Sequence, residues 1–151
     1  MARKHRVEVD QSGRFSQGGP VVLAFSNDIS ASVKVKQCVK NDLYRDVIYL
    51  SKSRIIGELK AFSAILYLLL APFLEQIERV VIDTEYPGHE ADIRGMLLNH
   101  IRAGEVRLDK QAIEFARVGK SSPAHKLALS VRRCRSRETV LLRTRDVKRV
   151  L

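Results

Sequence analysis

At 151 residues the chain has room for one domain with a real hydrophobic core, which excludes large two-domain enzymes. Its 45% hydrophobic content is globular rather than disordered, and 27 Lys and Arg against 17 Asp and Glu leave a formal charge of +10. That excess of cations makes nucleic acid the first partner to consider, ahead of an anionic membrane surface or an acidic protein.

The elements follow from periodicity and turn chemistry. Val7 and Val9 alternate with Glu8 and Asp10, which predicts a strand closed by the turn residues Gln11-Ser12-Gly13. Gly18-Gly19-Pro20 breaks the chain again before a second strand, Val21 to Phe25, and Ser26-Asn27-Asp28 supplies the next turn. Ser32, Lys34 and Lys36 then alternate with Ala31, Val33 and Val35, the pattern of a third, half-exposed strand. Between Cys38 and Lys52 the pattern blurs into a loop or a continuation of that strand. From Ser53, a candidate N-cap, apolar residues recur three or four apart through Leu70 and predict a buried helix. Val80 to Asp83 reads as a strand in a sheet interior, Glu90 to Arg102 as a helix closed by Gly104, and Ile113, Phe115 and Val118 as a last strand. Ser122 and Pro123 suit the N-cap and first position of a final helix reaching about Arg133. The expected order is βββαβαβα over residues 1–134. Residues 135–151 form a basic C-terminal segment readable as a docked strand, a helix or a tail.

Cys38 and Cys134 have no Cys or His at metal-ligand spacing, so they read as free thiols in a reducing compartment. Met1 to Arg6 is basic and lacks the apolar core of a signal peptide. The longest apolar run, Ala61 to Leu74, contains Ser63 and Pro72 and falls short of the roughly 18 to 20 residues that cross a bilayer. A cytoplasmic protein without membrane association is the expectation. The pair Gly119-Lys120 lacks the upstream glycine of a phosphate-binding loop, and with no Trp there is no aromatic ladder for single strands.

Chemistry concentrates at strand ends. Asp10 and Asp83 each finish an apolar strand, and Glu58 opens the long helix between them. One such aspartate is an ordinary turn former, and Glu58 alone is explained by the helix dipole. Together, carboxylates delivered from two strand ends and a helix start suit a divalent-metal site, and the basic charge suits a phosphate-bearing polymer as substrate.

The order of elements and four local words, Val9-Asp10-Gln11-Ser12-Gly13, Gly57-Glu58-Leu59-Lys60-Ala61, Ile82-Asp83-Thr84 and Gly119 through Ala124-His125-Lys126-Leu127-Ala128, resemble the ribonuclease H family over roughly residues 5 to 133. The resemblance implies an α/β fold with a mixed five-stranded sheet flanked by helices. It implies a two-metal endonuclease, using Mg²⁺ or Mn²⁺, that cuts the RNA strand of an RNA/DNA hybrid. On that basis Asp10 would bridge both cations, Glu58 would hold the one on the leaving-group side, and Asp83 would serve the nucleophile side. The family commonly has an aspartate where this chain has His125. Imidazole suits Mn²⁺ better than Mg²⁺, so the substitution implies activity that favours Mn²⁺ and falls as the imidazole protonates. Glu85, two residues beyond Asp83, is expected to stand behind the site rather than in it.

Substrate grip is expected from the Gln11-Ser12-Gly13 turn, from Lys34 and Lys36 on one strand face, and from Lys60, Lys120 and Lys126. Only about ten residues separate the second helix from the last strand, too few for the extra basic helix some relatives carry, so Arg132, Arg133, Arg135 and Arg137 are further candidates. Two other readings keep the fold: a Holliday-junction resolvase, which is a basic homodimer, and a non-catalytic nucleic-acid-binding domain. The chain is expected to act as a monomer or a homodimer.

Overall fold

The computed structural model describes residues 5–151, so most of the basic start, Met1 to Lys4, lies outside the described residues. β1 (His5–Ser12), β2 (Val21–Ser26) and β3 (Ser30–Val35) form an antiparallel meander. β4 (Ile77–Asp83) lies parallel to β1 on its other side, and β5 (Ile113–Ala116) lies parallel to β4. A sixth strand, β6 (Val140–Leu142), pairs parallel to β3, so the mixed sheet runs β5-β4-β1-β2-β3-β6.

The five strands expected from the sequence are therefore six. Three residues make a strand too short to show alternation, and Thr139 anchors it, exchanging hydrogen bonds with Ser32 through both backbone and side chains. Helix α5 (Thr144–Val150) follows, so the C-terminal segment supplies both a strand and a helix. It docks through Thr144 Oγ1, which donates to Asp42 (2.6 Å), and through Lys148, which reaches Asp46 (3.2 Å).

The stretch after Lys36 is also corrected. Instead of loop or strand it forms α1 (Gln37–Leu43) and a π-helical turn (Tyr44–Ile48), whose apolar Val39, Leu43 and Ile48 turn inward. Seven helical residues carry too few apolar positions to declare a period. Helix α2 (Arg54–Leu70) begins where Ser53 Oγ accepts from the Ile56 N–H (3.3 Å). Its inward face, with Leu59, Phe62, Leu66, Leu69 and Leu70, packs on Val7, Val9, Leu23 and Phe25 of the sheet, each such side chain contributing about 1.5–3 kcal/mol. The span Arg54–Gln76 is by length and composition apolar enough to cross a membrane, but it is the core helix of this fold and largely buried by the sheet and by α3 (Glu90–Ala103).

The opposite face of the sheet is covered by α4 (Pro123–Arg132), whose N-cap Ser122 accepts from the Ala124 N–H. Val22 and Ala24 meet Ala128 and Val131 there. This cover overturns the half-exposed third strand: Ser32 and Lys34 alternate as polar residues yet are buried, Lys34 at 8% exposure with its ammonium against Cys134 Sγ. Lys36 lies past the end of β3, exposed at the N-cap of α1, so the two lysines do not share a strand face.

Candidate metal centre and its cleft

β1 and β4 run side by side in parallel, and their register pairs Val9 with Ile82. One residue further on stand Asp10, two residues before β1 ends, and Asp83, the last residue of β4. Parallel pairing brings these two carboxylates together across more than seventy residues of sequence, as a turn former at either position would not require. Past the end of β4 the chain brings Glu85 to them: one ligand atom from each of Asp10, Asp83 and Glu85 lies within 4.8 Å of the others, and these three could hold a metal ion.

Each carboxylate has a fixed setting. Asp10, 4% exposed, accepts the Gln11 N–H (2.8 Å) through Oδ1, while His125 Nδ1 meets Oδ2 at 2.7 Å. Burial pushes its carboxyl above the usual range, and Asp83 pushes the same way against the Gln11 and His125 hydrogen bonds. Asp83 Oδ1 accepts the Val118 N–H (2.8 Å), so the segment entering α4 steadies it. Glu85 is the most perturbed. Burial first, then a hydrogen bond and charge repulsion from Asp83 and the charge of Asp10, push it up to about 8, with Arg14 only partly opposing.

Glu58 lies outside this triad. The Tyr44 hydroxyl donates to its Oε1 (2.8 Å), and Arg54 approaches to 3.5 Å. Burial and this negative neighbour raise the phenol of Tyr44. α2 reaches this position by close backbone approach: a Cβ on Gly57 would lie 2.7 Å from Ile48 Cα and 2.8 Å from its carbonyl oxygen. Glu58 and Glu85 both line a cleft of about 220 Å³, with Gln11, Arg14, Phe15, Ser16 and Tyr86 completing its walls. Gln11 donates from Nε2 to the Gly13 carbonyl (2.8 Å), and its buried Oε1 has no partner.

The expected site residues thus separate. Asp10, Asp83 and His125 converge directly, and Glu58 faces the same cleft from α2. Glu85, expected to stand behind the site, joins the carboxylates themselves. The signal lay in its two-residue spacing from Asp83, which returns an extended side chain to the same side. Gln11 and Ser12, expected in a turn, instead continue β1 and pair with Leu23 and Val22, because β2 is long enough to reach them; only Gly13 lies past the strand. Lys120 and Lys126 are exposed next to the start of α4. Lys60 points elsewhere, into a separate groove with Val47, Met96 and His100. Tyr44 and Lys40 were invisible as functional residues in a segment without a readable period.

Comparison with family models, with curated proteins and with solved structures finds no match for this chain.

Proposed function

We propose that this chain is a ribonuclease H-type endonuclease that hydrolyses the RNA strand of RNA/DNA hybrids with divalent cations. The observation that carries this reading is the meeting of Asp10 and Asp83 on neighbouring parallel strands, with Glu58 facing the adjoining cleft from α2 and His125 reaching Asp10 from α4. The sheet order β3-β2-β1-β4-β5 within the larger sheet supports it as well.

The residues present fit a hard cation. All three clustered donors are carboxylates, their mutual repulsion is only partly offset by His125, Arg14 and backbone N–H groups, and an orphaned amide oxygen, Gln11 Oε1, is buried in the adjoining cleft wall. Asp10, Asp83 and Glu85 would hold one ion, and Glu58 with Glu85 the cleft side. A bound divalent cation supplies Lewis-acid polarisation of a phosphodiester oxygen and acidifies water for in-line attack.

The protein's own contribution is preorganisation. The Gln11 N–H and His125 Nδ1 fix the two oxygens of Asp10, and the Val118 N–H fixes Oδ1 of Asp83, so both carboxylates are oriented before an ion arrives. His125, tied through Nδ1 to Asp10, keeps Nε2 available for a proton or a cation. Tyr44 and Arg54 fix the Glu58 carboxylate before substrate arrives. The net charge of +10 draws a polyanion to the surface and speeds encounter.

The test is incubation with labelled RNA/DNA hybrid, duplex RNA, duplex DNA and a four-way DNA junction, each with Mg²⁺ and with Mn²⁺. Cleavage confined to the RNA strand of the hybrid is expected. Cleavage of the junction instead would assign the resolvase reading, and binding without cleavage of any substrate the non-catalytic one.

A further inference from the structure

Lys40 is 0% exposed, and its ammonium makes all of its hydrogen bonds to one loop. It donates to the carbonyl oxygens of Arg14 (3.0 Å), Gln17 (2.5 Å) and Gly19 (2.8 Å), which uses the three protons of an ammonium. Burying a lysine without a carboxylate is costly, and here burial and the charge of Arg132 both lower its pKa. From the other side Arg132 of α4 donates to Pro20 (3.1 Å) and Gly18 (3.3 Å), and Gln37 Oε1 accepts the Gly19 N–H (2.8 Å). Two cations from different helices thus gather the carbonyls of a single loop joining β1 to β2.

A trans peptide aims its N–H opposite to its C=O, and the chain has no cis bond among the described residues. With the Arg14 and Gln17 carbonyls drawn to Lys40, the N–H groups of Phe15 and Gly18 on the same peptides point away from it, and neither has an acceptor among the described residues. Arg14, Phe15 and Ser16 form one wall of the cleft that holds Glu58 and Glu85. We infer that Lys40 is a positioning residue, which by holding the loop's carbonyls presents the Arg14 guanidinium and the unpaired Phe15 N–H of the cleft wall to a phosphate of the nucleic-acid strand in the cleft. The inference rests on the proposed nuclease reading for its ligand, and on geometry alone for the loop. Lys40 never touches the substrate.

The experiment compares the full chain with Lys40→Met and with Lys40→Gln, which keeps two donors and serves if the methionine variant does not fold. Trypsin cleavage at the Arg14–Phe15 bond, followed by mass spectrometry against cleavage after Arg135, reads the loop without reference to activity. Binding of labelled hybrid in Ca²⁺ by fluorescence anisotropy, with KM and kcat in Mn²⁺, reads its consequence. Cleavage at Arg14 is expected to quicken, Kd and KM to rise about tenfold, and kcat to stay within about threefold of the parent. Unchanged cleavage at Arg14, or a freed loop with unchanged Kd, overturns the inference. A parent protein that cuts no nucleic acid but binds hybrid, with the same Kd loss in the variants, sinks the nuclease reading and leaves the role of Lys40 standing. A parent that does not bind hybrid at all overturns both.

Discussion

Glu85 is expected to make the metal-free protein lose stability as pH rises toward 8. Its carboxyl is held up at about 8 by burial and by Asp83 and Asp10, against an ordinary value of 4.5. The unfolded chain releases this proton near the ordinary value, whereas the folded chain keeps it until about 8. The unfolded state then binds fewer protons, so the contribution is fully present below the ordinary value and is lost as pH rises toward 8. Holding the proton over that span is worth at most about 5 kcal/mol, and solvent screening at this partly buried position brings the expected loss to about 2 kcal/mol. Glu85→Gln cannot ionise and should escape it. In EDTA the variant should match the parent near pH 5 and exceed it at pH 8 by about 2 kcal/mol in urea unfolding, or about 4–8 °C in Tm. Mn²⁺ at pH 8 should close the gap by stabilising the parent, about 2.7 kcal/mol at a hundredfold excess over Kd. Parallel stability curves for parent and variant from pH 5 to 8 in EDTA would refute the crowded-carboxylate account of the site.

Three further outcomes are expected. Asp10→Asn should lower single-turnover cleavage of hybrid by about a thousandfold or more without lowering metal-free Tm, since it removes a buried, repelled charge. His125→Asp should shift the Mn²⁺ preference toward Mg²⁺ in parallel metal titrations, because it adds a carboxylate beside Asp10; an unchanged ratio of the two activities would remove His125 from the site. Gly57→Ala should destabilise by about 2 kcal/mol or more, read as a Tm drop of about 5 °C or more, because the added methyl meets the backbone of Ile48 rather than a side chain that can rotate away.

Much of the sheet was legible because strands of six to eight residues show their period and their turns contain Gly, Pro, Asn or Asp. β1, β2, α2, β4, α3 and α4 all sit within a few residues of the positions read from pattern, and the Ser53 and Ser122 caps make the hydrogen bonds their residue types suggest. What escaped was short or depended on cover from elsewhere. α1 and β6 hold too few residues for a period, and the polar side of β3 looks solvated only until α4 lies on it. At the candidate site, Asp10, Asp83 and Glu58 stood out in the sequence as carboxylates following apolar strand residues or near a helix start. The distances that separate a tight triad from a lone glutamate were not.

Sequence alone therefore determined that carboxylates lie on β1, on β4 and near the start of α2, that the molecule carries a large positive charge, and that one long helix must be buried. Local rules suffice there, because periodicity, capping and charge act over a few residues. Only the tertiary structure decided that Glu85 rather than Glu58 completes the carboxylate cluster, that His125 binds Asp10, and that Lys40 is spent wholly on the β1–β2 loop. The first two follow from parallel strand pairing and from α4 crossing the sheet, which join residues up to 115 positions apart, and the third from α1 packing against that loop.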